Sequence, residues 1–167
     1  MTRGSAWRVV TPDDVPTVEA FLQEHIETSV FLIANLRRFG PSGGPHPYAM
    51  RYWCRGNPID GVIAQSTAGM VMAQCPGHDA WRPALACLEA PVTGLIGDGF
   101  QIHALRDAAG WTDAATTLDA DEVLYALDLI RIVPQPGPGH LRPLQEEDRE
   151  RILPWRIDYD VNTLGVP

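Results

Sequence analysis

A chain of 167 residues that is 45% hydrophobic and 20% charged suffices for one domain with an appendage and is too apolar for wholesale disorder. Its net charge of −8 excludes a general nucleic-acid binder, which needs a basic surface to neutralise phosphates. No stretch approaches the ~20 apolar residues of a membrane span, and Met1 to Arg8 lacks the apolar run of a signal peptide, so a cytoplasmic protein with no membrane partner is expected.

Trp7 to Val10 has the composition of a short strand. Thr11-Pro12-Asp13-Asp14 follows as a helix start, with Thr11 as cap, Pro12 at the first helical position and Asp14 where a capping-box acid belongs. Val15, Val18, Phe21, Leu22, Ile26, Ser29 and Ile33 recur near helical spacing. Pro41-Ser42-Gly43-Gly44-Pro45 cannot continue the helix, or helix pair, beyond Gly40. Tyr48 to Cys54, Gly61 to Gln65 and Met70 to Gln74 read as strands. The last two flank Ser66-Thr67-Ala68-Gly69, a tight hairpin with Gly69 at positive φ, and the short connections favour an antiparallel meander.

A second helix is predicted over 80–90, capped by Asp79, with Pro83 in its first turn and Pro91 stopping it. Val92 to Ile96 is a short apolar strand. Asp98 caps a helix that ends at Gly110, with Gln101 in capping-box position. Glu122 to Ile130, with Val123, Tyr125, Leu127 and Leu129 on one side, is the strongest strand in the pattern. Pro134-Gln135-Pro136-Gly137-Pro138-Gly139 is a stiff linker and the best domain boundary. Beyond it lie a strand at His140 to Arg142 and a helix from about Glu146 to Leu164, which Pro154 should bend or break.

The start of the chain and its end share a pattern. Shifted by 134 positions, Arg8 falls on Arg142, Asp14 on Asp148, Val18 on Ile152 and Phe21 on Trp155. A period near that size is one ordinary domain, so a tandem arrangement is expected, with residues 140–167 opening a second copy.

The order of elements, together with Glu24 to Leu32, Asn35-Leu36-Arg37, Gly94-Leu95-Ile96-Gly97, Leu124 to Leu129, Trp155 to Tyr159 and Leu164-Gly165, resembles the GNAT superfamily of acetyl-CoA-dependent N-acetyltransferases. The closer likeness is to the N-terminal half of tandem GNAT-type bacterial proteins. The resemblance implies an α/β lobe with a mixed, mainly antiparallel sheet and flanking helices over 1–133. The linker 134–139 and a C-terminal strand–helix extension over 140–167 follow it. It also implies acetyl transfer from acetyl-CoA to a primary amine, with the active site in the later lobe.

The family's cofactor signature is Arg or Gln, two residues, Gly, one residue, then Gly or Ala, placed between a strand and a helix. Free amides and the helix dipole there hold the coenzyme A pyrophosphate. The matching spacing here is Gly94-x-x-Gly97-x-Gly99. The first position is glycine, and the Asp98 carboxylate would take the amides a phosphate needs and repel its charge. The loop is therefore expected to be degenerate, and acetyl-CoA is not expected to bind this chain alone.

Other chemistry is sparse. Glu24, His25 and Glu27 on the first helical segment, and Tyr125, are the acid–base candidates that amine acetylation would use, against the plainer alternatives of a solvated helix face and a core aromatic. No catalytic residue is assigned. Cys75-Pro76-Gly77-His78 offers one thiol and one imidazole, but the nearest further ligands, Cys87 and His103, fall in other elements, so no metal site is expected. An odd number of cysteines without repeated spacing suggests reduced thiols. Two functions stay open: a non-catalytic portion of an acetyltransferase, or a stand-alone binding or dimerisation module. The apolar tail residues Ile152, Trp155, Ile157, Tyr159 and Leu164 suggest a homodimer that buries Trp155.

Overall fold

The computed structural model describes residues 6–77, 81–131, 133, 137 and 142–163, and the chain divides into two units, Met1–Ala126 and Leu127–Pro167. The first unit opens with strand β1 (Arg8–Val9). A 3₁₀ turn over Pro12–Asp14 leads into α1 (Val15–Glu24). Asp14 Oδ2 accepts from the Thr11 amide at 2.9 Å, from Thr11 Oγ1 at 2.7 Å and from Arg8 Nη1 at 2.7 Å. The Arg8 hydrogen bond, then those from Thr11, hold the Asp14 carboxyl well below the usual carboxylate range. The helix breaks at His25 (φ −120°, ψ 36°) and resumes as α2 (Ile26–Phe39), which ends at Gly40 with φ 75°.

Strands β2 (Met50–Gly56), β3 (Ile59–Ser66) and β4 (Met70–Gln74) form the antiparallel meander. The β3–β4 hairpin turns at Gly69, whose φ is 90° and where a Cβ would stand 2.5 Å from the Pro91 carbonyl oxygen. Strand β5 (Gly94–Ile96) then pairs parallel with β4, giving a five-stranded mixed sheet in the order β1-β2-β3-β4-β5. A parallel neighbour needs a crossover connection, which here carries α3 (Trp81–Leu85).

Side-chain alternation along the strands builds two cores. Met50, Tyr52, Cys54, Val62 and Ala64 pack with Val18, Leu22, Leu32, Ile33 and Leu36 of α1 and α2. Trp53, Ile63, Val71, Ala73 and Cys75 pack with Trp81 and Ala84 of α3 and Leu105 of α4 (Gly99–Ala109). The sheet is thus covered on both faces, which explains why its central strands read as near-continuous apolar runs rather than clean alternations.

Two predicted elements are corrected. The helix expected over 80–90 is α3 alone, ending at Leu85. The Gln65 side chain captures the backbone beyond it: Gln65 Oε1 accepts from the Glu89 and Ala90 amides at 3.0 and 3.2 Å, and Gln65 Nε2 donates to the Ala90 carbonyl at 2.8 Å. Those groups are bonded to a strand side chain instead of to a helix.

Glu122 to Ile130 is not a strand. Residues 122–128 have no ladder partner, and Leu129–Arg131 is a 3₁₀ turn. Asp128 causes that turn locally, accepting from the Ile130 amide through Oδ1 at 3.1 Å and from the Arg131 amide through its carbonyl at 2.9 Å. Strand propensity describes how a segment fits a pleated, half-buried surface, and among the described residues no neighbouring strand supplies one.

In the second unit, a 3₁₀ turn over Glu146–Asp148 leads into α5 (Arg149–Asn162), which continues unbroken through Pro154. None of its residues is buried. His140 and Leu141, from the strand expected there, lie outside the described residues, as does the Pro134–Gly139 linker apart from Gly137, and Arg142 belongs to no strand.

Candidate functional site

Because β4 and β5 run in the same direction, their carboxyl ends meet at one rim, the place where open α/β sheets receive ligands. Cys75, Pro76, Trp81, Asp98, Phe100 and Gln101 line a cleft of about 220 Å³ there. The last residues of β4 and its continuation point to opposite faces. Gln74 is buried against α2, its Oε1 accepting from Thr28 Oγ1 at 2.7 Å and from Ser29 Oγ at 3.3 Å. Cys75 is buried on the other face.

The opposite wall is the first turn of α4. Asp98 Oδ1 caps it by accepting from the Gln101 amide at 3.1 Å. The Gln101 side chain does not return the bond to Asp98, as the predicted capping box would have it. Its Oε1 instead accepts from the Cys75 amide, tying α4 to the end of β4. A second carboxylate stands nearby: a Cβ at Gly99 would be 3.6 Å from Asp121 Oδ1. His103 Nε2 lies 3.3 Å from the same oxygen, and Arg106 pairs with Asp119 at 2.9 Å. Two carboxylates therefore occupy the positive end of the α4 dipole, where an anion would otherwise sit.

The three glycines of the predicted signature flank this rim. Gly94 lies within β5, where a Cβ would be 2.9 Å from Met70 Cε. Gly97 follows the strand, with Ile102 carbons 3.2 Å from the position of a Cβ, and Gly99 is the first residue of α4. Side-chain packing of Met70 and Ile102 thus explains the first two without a ligand.

Sequence reasoning missed a second placement of the same spacing. Gln74-Cys75-Pro76-Gly77 supplies the glutamine and the first glycine of the family signature and lies between β4 and α3. The final position is Asp79 instead of glycine or alanine. The glutamine was the available signal. It was obscured because the 80–90 segment read as an inserted helix, whereas the parallel β4–β5 pairing makes 75–93 the crossover itself.

The remaining candidates do not line the cleft. Glu24 and Glu27 are exposed on either side of the α1–α2 break, and His25 sits edge-on to Phe21 with ring centroids 5.0 Å apart. Tyr125 is 87% exposed. Burial pushes the Cys54 and Cys87 thiols up, which disfavours the thiolate form a nucleophile needs. His78 lies outside the described residues, and among the described residues no three His, Cys, Asp or Glu side chains are grouped to hold a metal. A larger concavity of about 580 Å³ runs beside Leu153, Ile157 and Val161 of α5 but is bounded by that helix alone.

No helix among the described residues is long and apolar enough to cross a membrane. No model of a known protein family matches the chain, and neither a curated protein nor a solved structure matches it.

Proposed function

We propose that this chain is the non-catalytic lobe of a tandem GNAT-type N-acetyltransferase, an enzyme class that transfers acetyl from acetyl-CoA to an amine. The element order supports the lobe assignment: β1, two helices, an antiparallel meander, then a helical crossover to a parallel strand. The observation that carries the non-catalytic part is the pair of carboxylates, Asp98 and Asp121, at the N-terminus of α4. A pyrophosphate would meet like charge there and find the Gln101 amide already bonded. The alternative loop after β4 fits no better. Its Cys75 amide is bonded to Gln101, and α3, with five residues, is too short to present a developed dipole. A cleft of about 220 Å³ is also below the roughly 300–1,000 Å³ usual for small-molecule sites.

A stand-alone binding or dimerisation module is the second reading, favoured by the exposed apolar run from Val123 to Ile130. Calorimetry with acetyl-CoA at neutral pH tests the first. Titration to high micromolar ligand should give no resolvable heat of binding. A one-to-one isotherm with a micromolar dissociation constant would overturn the non-catalytic assignment.

A further inference from the structure

After α4 ends, the chain returns along the outer face of that helix. Ala104, Leu105 and Ala108 turn inward to the core they share with Trp81 and Ala84. Gly99, His103 and Arg106 follow one another at steps of four and three residues and line the opposite face. Side chains tie the returning segment to this face. Thr112 Oγ1 donates to Asp107 Oδ1 at 3.0 Å, Arg106 Nη1 donates to Asp119 Oδ2 at 2.9 Å, and His103 Nε2 stands 3.3 Å from Asp121 Oδ1.

Little else holds the segment. Residues 112–121 are exposed throughout. Among the described residues no backbone hydrogen bond joins 115–121 to the rest of the protein. Leu118, the largest apolar side chain in the stretch, is 81% exposed. Apolar burial therefore contributes almost nothing here, and charge decides whether the segment lies on α4 or lifts away.

We propose that residues 112–121 are an ionic strap over α4, closed by protonation of His103. Closed, the strap seats Asp121 beside Gly99, where the absence of a side chain leaves room for a carboxylate. Open, it withdraws that carboxylate from the rim of the cleft and uncovers the outer face of α4. Asp98 is bonded within its own helix turn and stays in either state. The device concerns the strap alone and does not rest on the acetyltransferase reading.

The direction of the response follows from the groups around His103. By helical position it faces Arg106 and Asp107 of α4 and Asp119 and Asp121 of the strap, while the sheet and α3 pack on the other side of the helix. Arg106 engages Asp119 and Thr112 engages Asp107, which leaves Asp121 to the imidazole. A histidine gains its charge as pH falls through the range from about 8 to about 5. Closure is therefore favoured as pH falls through that range and weakened as pH rises. Below about pH 4 the carboxylates lose their charge, and the strap opens again. Each pair reaches solvent, so about 1 M salt, with a screening length near 3 Å, also opens it.

The test uses the full chain, without ligand. At about pH 6 and low salt, the heteronuclear Overhauser effect of the amides at 116–121 should approach that of α4, and proton contacts between Asp121 and Gly99 should be visible. At about pH 8.5, or in about 1 M sodium chloride at the lower pH, the effect should fall at least twofold and the contacts should vanish. His103→Gln should leave the strap open at both pH values. Its side chain lies on the outer face, so far-UV circular dichroism should not change. Asp121→Asn should abolish the pH response from the other side of the pair. Equal Overhauser effects at the two pH values in the wild-type chain, or a pH response that persists in either variant, would overturn the proposal.

Discussion

Gln65 holds the crossover that brings β5 beside β4, and its replacement measures what that connection contributes. The residue is 4% exposed, and its amide group makes three hydrogen bonds to the backbone of Glu89 and Ala90. Gln65→Leu keeps much of the volume and removes all three. At a net ~1 kcal/mol per bond the loss is about 3 kcal/mol. Glu89 and Ala90 are themselves exposed, so water recovers part of it, and about 1–3 kcal/mol is expected. For a unit of this size that lowers Tm by roughly 5–10 °C. Gln65→Ala should cost about a further 1 kcal/mol through the void it leaves. Urea melts of both variants give the magnitudes. Hydrogen exchange adds the location, with protection lost first at the Glu89 and Ala90 amides. A leucine variant within 0.5 kcal/mol of wild type, with exchange at 89 and 90 unchanged, would show that the crossover is held by packing alone.

Asp14 titrates below the usual carboxylate range because of Arg8 and the Thr11 donors, so its contribution to stability is complete above the unfolded value near pH 4 and is lost as pH falls through the folded one. Carboxyl NMR should show its midpoint well under 4, and Asp14→Asn should flatten the acid limb of the stability curve; a midpoint at 4 or above contradicts the arrangement. Tyr52 is fully buried with its hydroxyl donating to the Leu32 carbonyl at 2.8 Å, so Tyr52→Phe should cost about 1–2 kcal/mol in urea melts. Burial raises the Tyr52 phenol above its ordinary range, so native stability is kept below pH 10 and falls as pH rises beyond it; ultraviolet titration should find at least one of the four phenols ionising only with unfolding.

The parts of the fold that were legible are those whose signals are local. Thr11 to Asp14 starts a helix through hydrogen bonds within seven residues, and Gly40, Gly69 and Gly110 mark stops and turns that need positive φ. The meander followed from short connections. What failed depended on partners distant in sequence. Gln65 reaches 24 residues ahead to end α3, and no periodicity within 80–90 announces that. Glu122 to Ile130 carries every mark of a strand, but a strand exists only where a second one accepts it. At the rim of β4 and β5 the Asp98 cap was legible, being three residues from its partner. The Gln101–Cys75 bond was not, because it depends on α4 lying against the end of β4, nor was the approach of Asp121 to Gly99, which depends on the chain returning along α4.

The helix starts at 8–14 and 142–148, 134 positions apart, make the same local hydrogen bonds, and the segments differ after them. Arg142 reaches Asp148 at 2.6 Å as Arg8 reaches Asp14 at 2.7 Å, and the Gln145 amide donates to Asp148 at 2.9 Å as the Thr11 amide donates to Asp14 at 2.9 Å. The capping residues share one conformation, φ −94° and ψ 166° at Thr11 against −112° and 168° at Gln145. Each 3₁₀ turn is three residues long and each runs directly into an α-helix. Both aspartates are held below the carboxylate range by their arginines. Such a device needs no core, since all its bonds lie within one short segment. The core positions behave differently. Val18 and Phe21 are buried in α1, whereas their counterparts Ile152 and Trp155 are half-buried and 62% exposed. Arg149 and Arg156 stand at the positions of the partly buried Val15 and the fully buried Leu22. The helix start therefore recurs without the core behind it, and Arg156 at the position of the core residue Leu22 shows that the likeness does not extend to every residue that faces the sheet.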